Sequence, residues 1–189
     1  MAKQDTNPGP DVEEALDAFA SGSSIQARQA ALTALMRTKA IPKRADDARF
    51  QRGLEALIQA ATDPEGAGES RLLAMAEVVR AAQVVKRLQP RLAEWIGPGL
   101  RPDLPGLKVL EEADDRLNAA RALSLGSGKW LPDYLADAIA SEEQGENARL
   151  ALVQALLARS DRLDELLGTL ARAMAAQRPE TESPGDSLA

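Results

Sequence analysis

The segment Gly126-Ser127-Gly128-Lys129 sets backbone donors beside a cation, which is how a glycine loop cradles phosphate. The rest of that loop is missing. Its first glycine would fall on Leu123, and the hydroxyl that holds magnesium would follow Lys129, where Trp130 stands. A turn ending a helix is the reading that remains. Carboxylate doublets offer the next chemistry: Glu13-Glu14, Asp46-Asp47, Glu111-Glu112, Asp114-Asp115, Glu142-Glu143 and Asp164-Glu165. Adjacent residues on a helix diverge by about 100°, so a doublet does not face itself as an acid/base pair must. Near a helix start, such charges suit the positive end of the helix dipole. Glu142, Glu143 and Glu146 resemble a divalent-cation cluster in composition alone.

The chain holds no histidine and no cysteine, which removes the usual general base, imidazole and thiolate ligands, and disulfides. No catalytic, metal-binding or cofactor-binding residue is assigned, and the expectation is a protein that is not an enzyme and needs no cofactor. A carboxylate-bound metal enzyme would have to rest on Glu142 and Glu143.

Charge is distributed unevenly. Residues 22–110 carry 14 Lys and Arg against 9 Asp and Glu, a net of +5, whereas residues 1–21 carry -4 and residues 111–189 carry -7. Within the positive part Lys39, Lys43, Arg44, Arg49 and Arg52 cluster, and Lys86, Arg87 and Arg91 form a second group. These residues are the candidate contacts for a partner. They could meet an acidic protein surface, follow a phosphate backbone, form a solvated face, or be matched internally by the acidic C-terminal half.

Stepping along the chain, the elements that would carry these groups are helical. Alanine and leucine dominate and aromatics make up 3% of the residues, while runs of β-branched residues are absent. Asp11 is placed to cap a helix whose buried line is Val12, Ala15, Leu16 and Phe19, and Ser23 or Ser24 a second helix to about Arg37. A third helix from about Asp46 carries Phe50, Leu54, Leu57, Ile58 and Ala61. The fourth runs from about Glu69 towards Leu88 through Leu72, Ala76, Val79 and Gln83, with Pro90 kinking or restarting it before Trp95. Residues 97–106 are the richest turn cluster, read as a rigid connector or a hinge between two halves. Leu107, Leu110, Ala113, Leu117, Ala120 and Leu123 then keep helical spacing, as one helix or as two split near Asp114-Asp115. Further helices follow from Pro132 and beyond Gly145, and a last one after Asp161 is lined by Leu163, Leu166, Leu167, Leu170 and Met174. Residues 1–10 are expected to be a flexible arm, 11–177 one helical domain, and 178–189 a disordered polar tail.

Four arginines, Arg28, Arg71, Arg116 and Arg149, each stand near the start of an alanine- and leucine-rich stretch, at intervals of 43, 45 and 33 residues. Asp114-Asp115-Arg116-Leu117-Asn118-Ala119-Ala120-Arg121-Ala122-Leu123 and Asp63-Pro64-Glu65 followed by Arg71 show an acidic turn ahead of the arginine. This pattern resembles HEAT repeats. The resemblance implies an all-α fold, a short α-solenoid of roughly four antiparallel helix pairs, with an irregular helical bundle as the alternative. The recurrent arginines are expected to cap or brace neighbouring carboxylates.

No apolar run nears the roughly 20 residues that span a bilayer, and Met1-Ala2-Lys3-Gln4-Asp5-Thr6 lacks the features of a signal peptide, so a cytoplasmic protein is expected. The function expected from these readings is an adaptor, assembly factor or regulatory subunit with a protein partner and no membrane contact. The alternative is a helical small subunit of a nucleoprotein complex.

Overall fold

The computed structural model describes residues 11–39, 41, 45–141, 145–159, 168 and 171. Every regular element among them is helical: α1 (Val12–Ser21), α2 (Ile25–Arg37), α3 (Ala48–Thr62), α4 (Gly68–Val84), α5 (Leu92–Ile96), α6 (Ala113–Leu123), α7 (Leu131–Ala140) and α8 (Glu146–Leu157). Tighter 3-10 turns occupy Lys86–Arg91, Gly97–Gly99 and Leu107–Val109. None of the helices is long and apolar enough to cross a membrane. The expected last helix after Asp161, the arm 1–10, the tail 178–189, and Lys43, Arg44, Glu142 and Glu143 all lie outside the described residues.

Side chains set the helix starts. The Asp11 carboxylate accepts from the Glu13 amide at 3.0 Å, the Ser24 hydroxyl from the Ala27 amide at 3.1 Å, and the Asp47 carboxylate from the Arg49 amide at 2.9 Å. Each satisfies a donor that the first turn leaves without a carbonyl. Helix α1 then buries Ala15, Leu16, Phe19 and Ala20. Its Phe19 ring lies 5.4 Å from that of Phe50 and against Gly53, where a methyl group would clash with Cδ1 of the Phe19 ring and sit 2.6 Å from its Cε1. The missing side chain lets α1 and α3 approach closely.

Helices α1 and α2, α3 and α4, and α7 and α8 pack as consecutive pairs. The even-numbered helices also line up, α2 on α4, α4 on α6 and α6 on α8, while α1 packs on α3. The short α5 and its flanking 3-10 turns pack against α3 and α4 ahead of α6. Helix α4 lies in the middle of this stack. All residues from Arg71 to Val79 are buried, whereas the sequence pattern had assigned α4 a single apolar line. Its neighbours α2, α3 and α6 cover it on several sides, so alanines serve as core on every face. Gln83, placed on that line, is instead exposed.

Two boundaries differ from the sequence expectation. Helix α4 stops at Val84, and Pro90, which has no amide to donate, sits inside the 3-10 turn that follows. Leu107 and Leu110 are buried but do not extend α6. The backbone at Leu110 is extended (φ -87°, ψ 118°), and α6 begins only at Ala113. The turn cluster 97–106 is held from both sides: Arg71 of α4 donates to Asp103 at 2.9 Å, and the Tyr134 hydroxyl of α7 donates to the Pro105 carbonyl at 2.5 Å. Leu104 is buried between these anchors. Burial raises the Tyr134 phenol to about 12.

Candidate interaction face on the even-numbered helices

Arg28, Arg71, Arg116 and Arg149 are the fourth residues of α2, α4, α6 and α8, which begin at Ile25, Gly68, Ala113 and Glu146. The unequal intervals in sequence thus reflect the lengths of the helices and of their connectors, while the register within each helix is constant. Each side chain turns back towards the segment before its helix. The Arg28 stem lies against Gly22, and Arg71 bonds Asp103. Arg116 donates to the carbonyls of Leu110 and Glu111 at 2.6 and 2.8 Å, and Arg149 to that of Ser141 at 3.1 Å. Among the described residues the expected bracing of a carboxylate is seen for Arg71. For Arg116 and Arg149 the acceptors are backbone carbonyls, because an irregular connector leaves carbonyls without helical partners. The Arg71 guanidinium beside Asp103 holds that carboxyl below its ordinary range. In all four arginines the buried Nε makes no hydrogen bond among the described residues.

Arg116→Ala removes two charge-assisted bonds and releases the connector ahead of α6. The expected loss is about 2 kcal/mol in urea unfolding, with Arg149→Ala, which loses a single longer bond, costing about half as much.

A buried polar ladder crosses the even layer. Glu77 of α4 has no solvent exposure and Asp115 of α6 only 6%. The Gln29 amide of α2 bridges them, donating to Glu77 Oε1 at 3.0 Å and to Asp115 Oδ2 at 2.8 Å. Arg80 reaches both Glu77 oxygens at 3.3 and 3.4 Å and the Thr33 hydroxyl at 2.7 Å. Burial raises the Glu77 carboxyl, and the Asp115 charge adds to that, against the opposing pull of Arg80 and Gln29. One turn further along, Gln83 donates to Asn118 at 2.7 Å, and Asn118 also accepts from Arg121 at 3.2 Å. The sequence reading had rightly denied that Asp114 and Asp115 face each other: Asp114 is exposed, while Asp115 turns inwards. It missed Glu77, whose signal is a lone carboxylate within the apolar run from Leu72 to Val79.

Beyond the ladder the same face opens into two adjoining depressions of about 510 and 540 Å³, which share Arg121 and Ser124 at the end of α6. The first lies between α6 and α8, with Leu117, Leu150 and Ala151 as its apolar lining and Asn147, Gln154 and Arg159 as its polar one. The second lies between α4 and α6, with Val79, Leu92 and Leu125 beside Gln83 and Gln89. Among the described residues neither is lined by a carboxylate. Arg159 donates to the carbonyls of Ser124, Gly126 and Ala155, so its charge covers the carbonyl end of α6. Burial lowers the Arg159 guanidinium from its ordinary value. Leu150 is 55% exposed, and Leu157, two turns along α8, is 49% exposed.

Of the basic residues singled out by charge, the described ones do not line these depressions. Arg49 is held by three carboxylates, Glu13 at 2.6 Å, Asp47 at 2.9 Å and Asp17 at 3.1 Å, and these bonds raise its pKa further. Arg87 meets Asp46 at 2.5 Å, and Arg91 lies over the Trp95 ring at 4.6 Å from its centre. Lys39, Arg52 and Lys86 are exposed. Lys39 also has a positive φ of 55°, the left-handed conformation that ends the turn after α2. The acidic α1 is therefore one internal match for the positive segment. Comparison of the chain with protein-family models, with curated proteins and with solved structures found no match.

Proposed function

We propose that this chain is a non-catalytic protein-interaction module, acting in the cytoplasm as an adaptor, assembly factor or regulatory subunit, with its partner seated on the face of the even-numbered helices. The observation that carries this reading is the pair of adjoining depressions around the end of α6. They are open to solvent and mix apolar side chains with amides and guanidinium groups, a lining that suits a protein surface better than an enclosed small molecule. The HEAT-like resemblance points the same way, since stacked helix pairs present extended surfaces. The alternative, a nucleoprotein subunit gripping phosphates through the basic segment, gains no support from Arg49 and Arg87, whose guanidinium groups already meet carboxylates.

A photo-crosslinking residue placed at Leu150, on this face, is expected to capture one protein in the native cytoplasm, and the adduct should survive nuclease. The same residue at exposed Glu55 on α3 should capture far less. Equal capture at both positions, or an adduct released by nuclease, would remove this reading.

A further inference from the structure

We infer that the groove around the end of α6 receives an acidic amphipathic helix of the partner protein, its leucine-type side chains on Leu117, Leu150 and Ala151 and its carboxylates towards Arg121 and Arg159. The inference rests on the proposed interaction function and names the chemistry of the partner. Charge complementarity carries it. The whole chain has a net charge of -6, yet among the described residues the groove lining holds two guanidinium groups and no carboxylate. Arg121 is exposed and its recorded partner is the neutral Asn118 side chain. Arg159 donates to neutral carbonyls, so its positive charge stays without a carboxylate among the described residues. A charge so placed attracts an anion without requiring Arg159 to leave its carbonyls. Between these cations, Leu150 offers an exposed apolar surface that a purely anionic ligand would leave uncovered. Apolar anchors flanked by acidic positions on one helix satisfy both requirements, which is the helix-in-groove mode of recognition.

The test uses the full chain and a fluorescent peptide of about 18 residues with leucines at i, i+3, i+4 and i+7 and glutamates between them. Fluorescence anisotropy is expected to show binding that weakens by about tenfold with Arg121→Glu and similarly with Leu150→Gln, both at exposed positions where circular dichroism should report an unchanged fold. The same peptide with lysine in place of glutamate should bind at least about tenfold more weakly. Binding indifferent to Arg121→Glu, or equal binding of polyglutamate or of single-stranded DNA, overturns the inference. So does a dimer of the free protein that Arg121→Glu dissociates, since that outcome assigns the groove to a second copy. Failure of the peptide beside a specific adduct at Leu150 would reject this partner chemistry and leave the interaction reading standing.

Discussion

Arg80→Ala is expected to destabilise the protein by about 3 kcal/mol at neutral pH and by markedly less near pH 4 to 5. The reason lies in what surrounds Glu77. Its carboxylate has no exposure to solvent and faces Gln29 from α2, Arg80 from its own helix, which also reaches Thr33, and Asp115 from α6. Arg80 is the cation of this set, and its distances of 3.3 and 3.4 Å to the Glu77 oxygens are long for a charge-assisted bond. Taking it away leaves two buried carboxylates sharing one amide. Breaking a buried pair costs about 3 to 5 kcal/mol, and the lower end applies because Glu77 can escape by binding a proton.

That escape sets the sign of the pH response. The Glu77 pKa is raised in the folded state by burial, so in the window between its unfolded and folded values the native protein holds a proton that the unfolded chain has lost. Stability contributed by this group therefore falls as pH rises through that window and stays low above it. Arg80→Ala raises the folded value further and extends the window upwards. Glu77→Gln removes the charge while keeping the shape, so it should stay within about 1 kcal/mol of the parent at neutral pH and flatten this part of the profile. The double variant should recover much of what Arg80→Ala loses. Urea unfolding of the four proteins at several pH values checks all of this. A pH-independent loss in Arg80→Ala, unchanged by Glu77→Gln, would mean that Arg80 acts through packing alone.

The legibility of this architecture in the sequence depended on how local the signal was. Helix caps at Asp11 and Ser24, and the buried line of α1, follow from neighbouring residues and could be placed directly. The recurrence of the four arginines was visible too, since each occupies the same position in its helix regardless of connector length. What they hold was not, because Leu110, Glu111 and Ser141 offer backbone carbonyls, which every residue has. The ladder was hidden for a different reason. Gln29 is 48 positions from Glu77 and 86 from Asp115, so nothing in either segment marks the other. The pairing of Arg49 was hidden because charge counted along the chain ignores partners across it: α1 supplies its carboxylates from more than 30 positions earlier. The groove around Arg121 and Arg159 arises where α4, α6 and α8 come together, and no segment alone contains it.

Gly99→Ala should be the most damaging single methyl group added anywhere in the described chain, costing about 3 kcal/mol or more and shifting unfolding to lower urea. Gly99 is buried in the 3-10 turn after α5, and a Cβ there would fall within the contact radius of the Ala61 carbonyl oxygen, 3.0 Å from its carbon and 2.9 Å from the Met75 methyl. Met75 could rotate aside. The Ala61 carbonyl cannot, because it belongs to the last turn of α3 and moving it means moving that helix against α4. The turn cluster has little freedom to retreat either, since Arg71 holds Asp103 and Tyr134 holds the Pro105 carbonyl a few residues on. Gly97 supplies the control: a Cβ there meets nothing within 4 Å, and φ is -48°, so Gly97→Ala should be neutral or stabilise by up to about 1 kcal/mol through the unfolded chain. Equal urea midpoints for the two variants would show that α3 and the connector can separate at little cost. A loss confined to Gly99→Ala fixes the connector to α3 and α4 as one packed unit, and with it the edge of the groove that Leu92 helps to form.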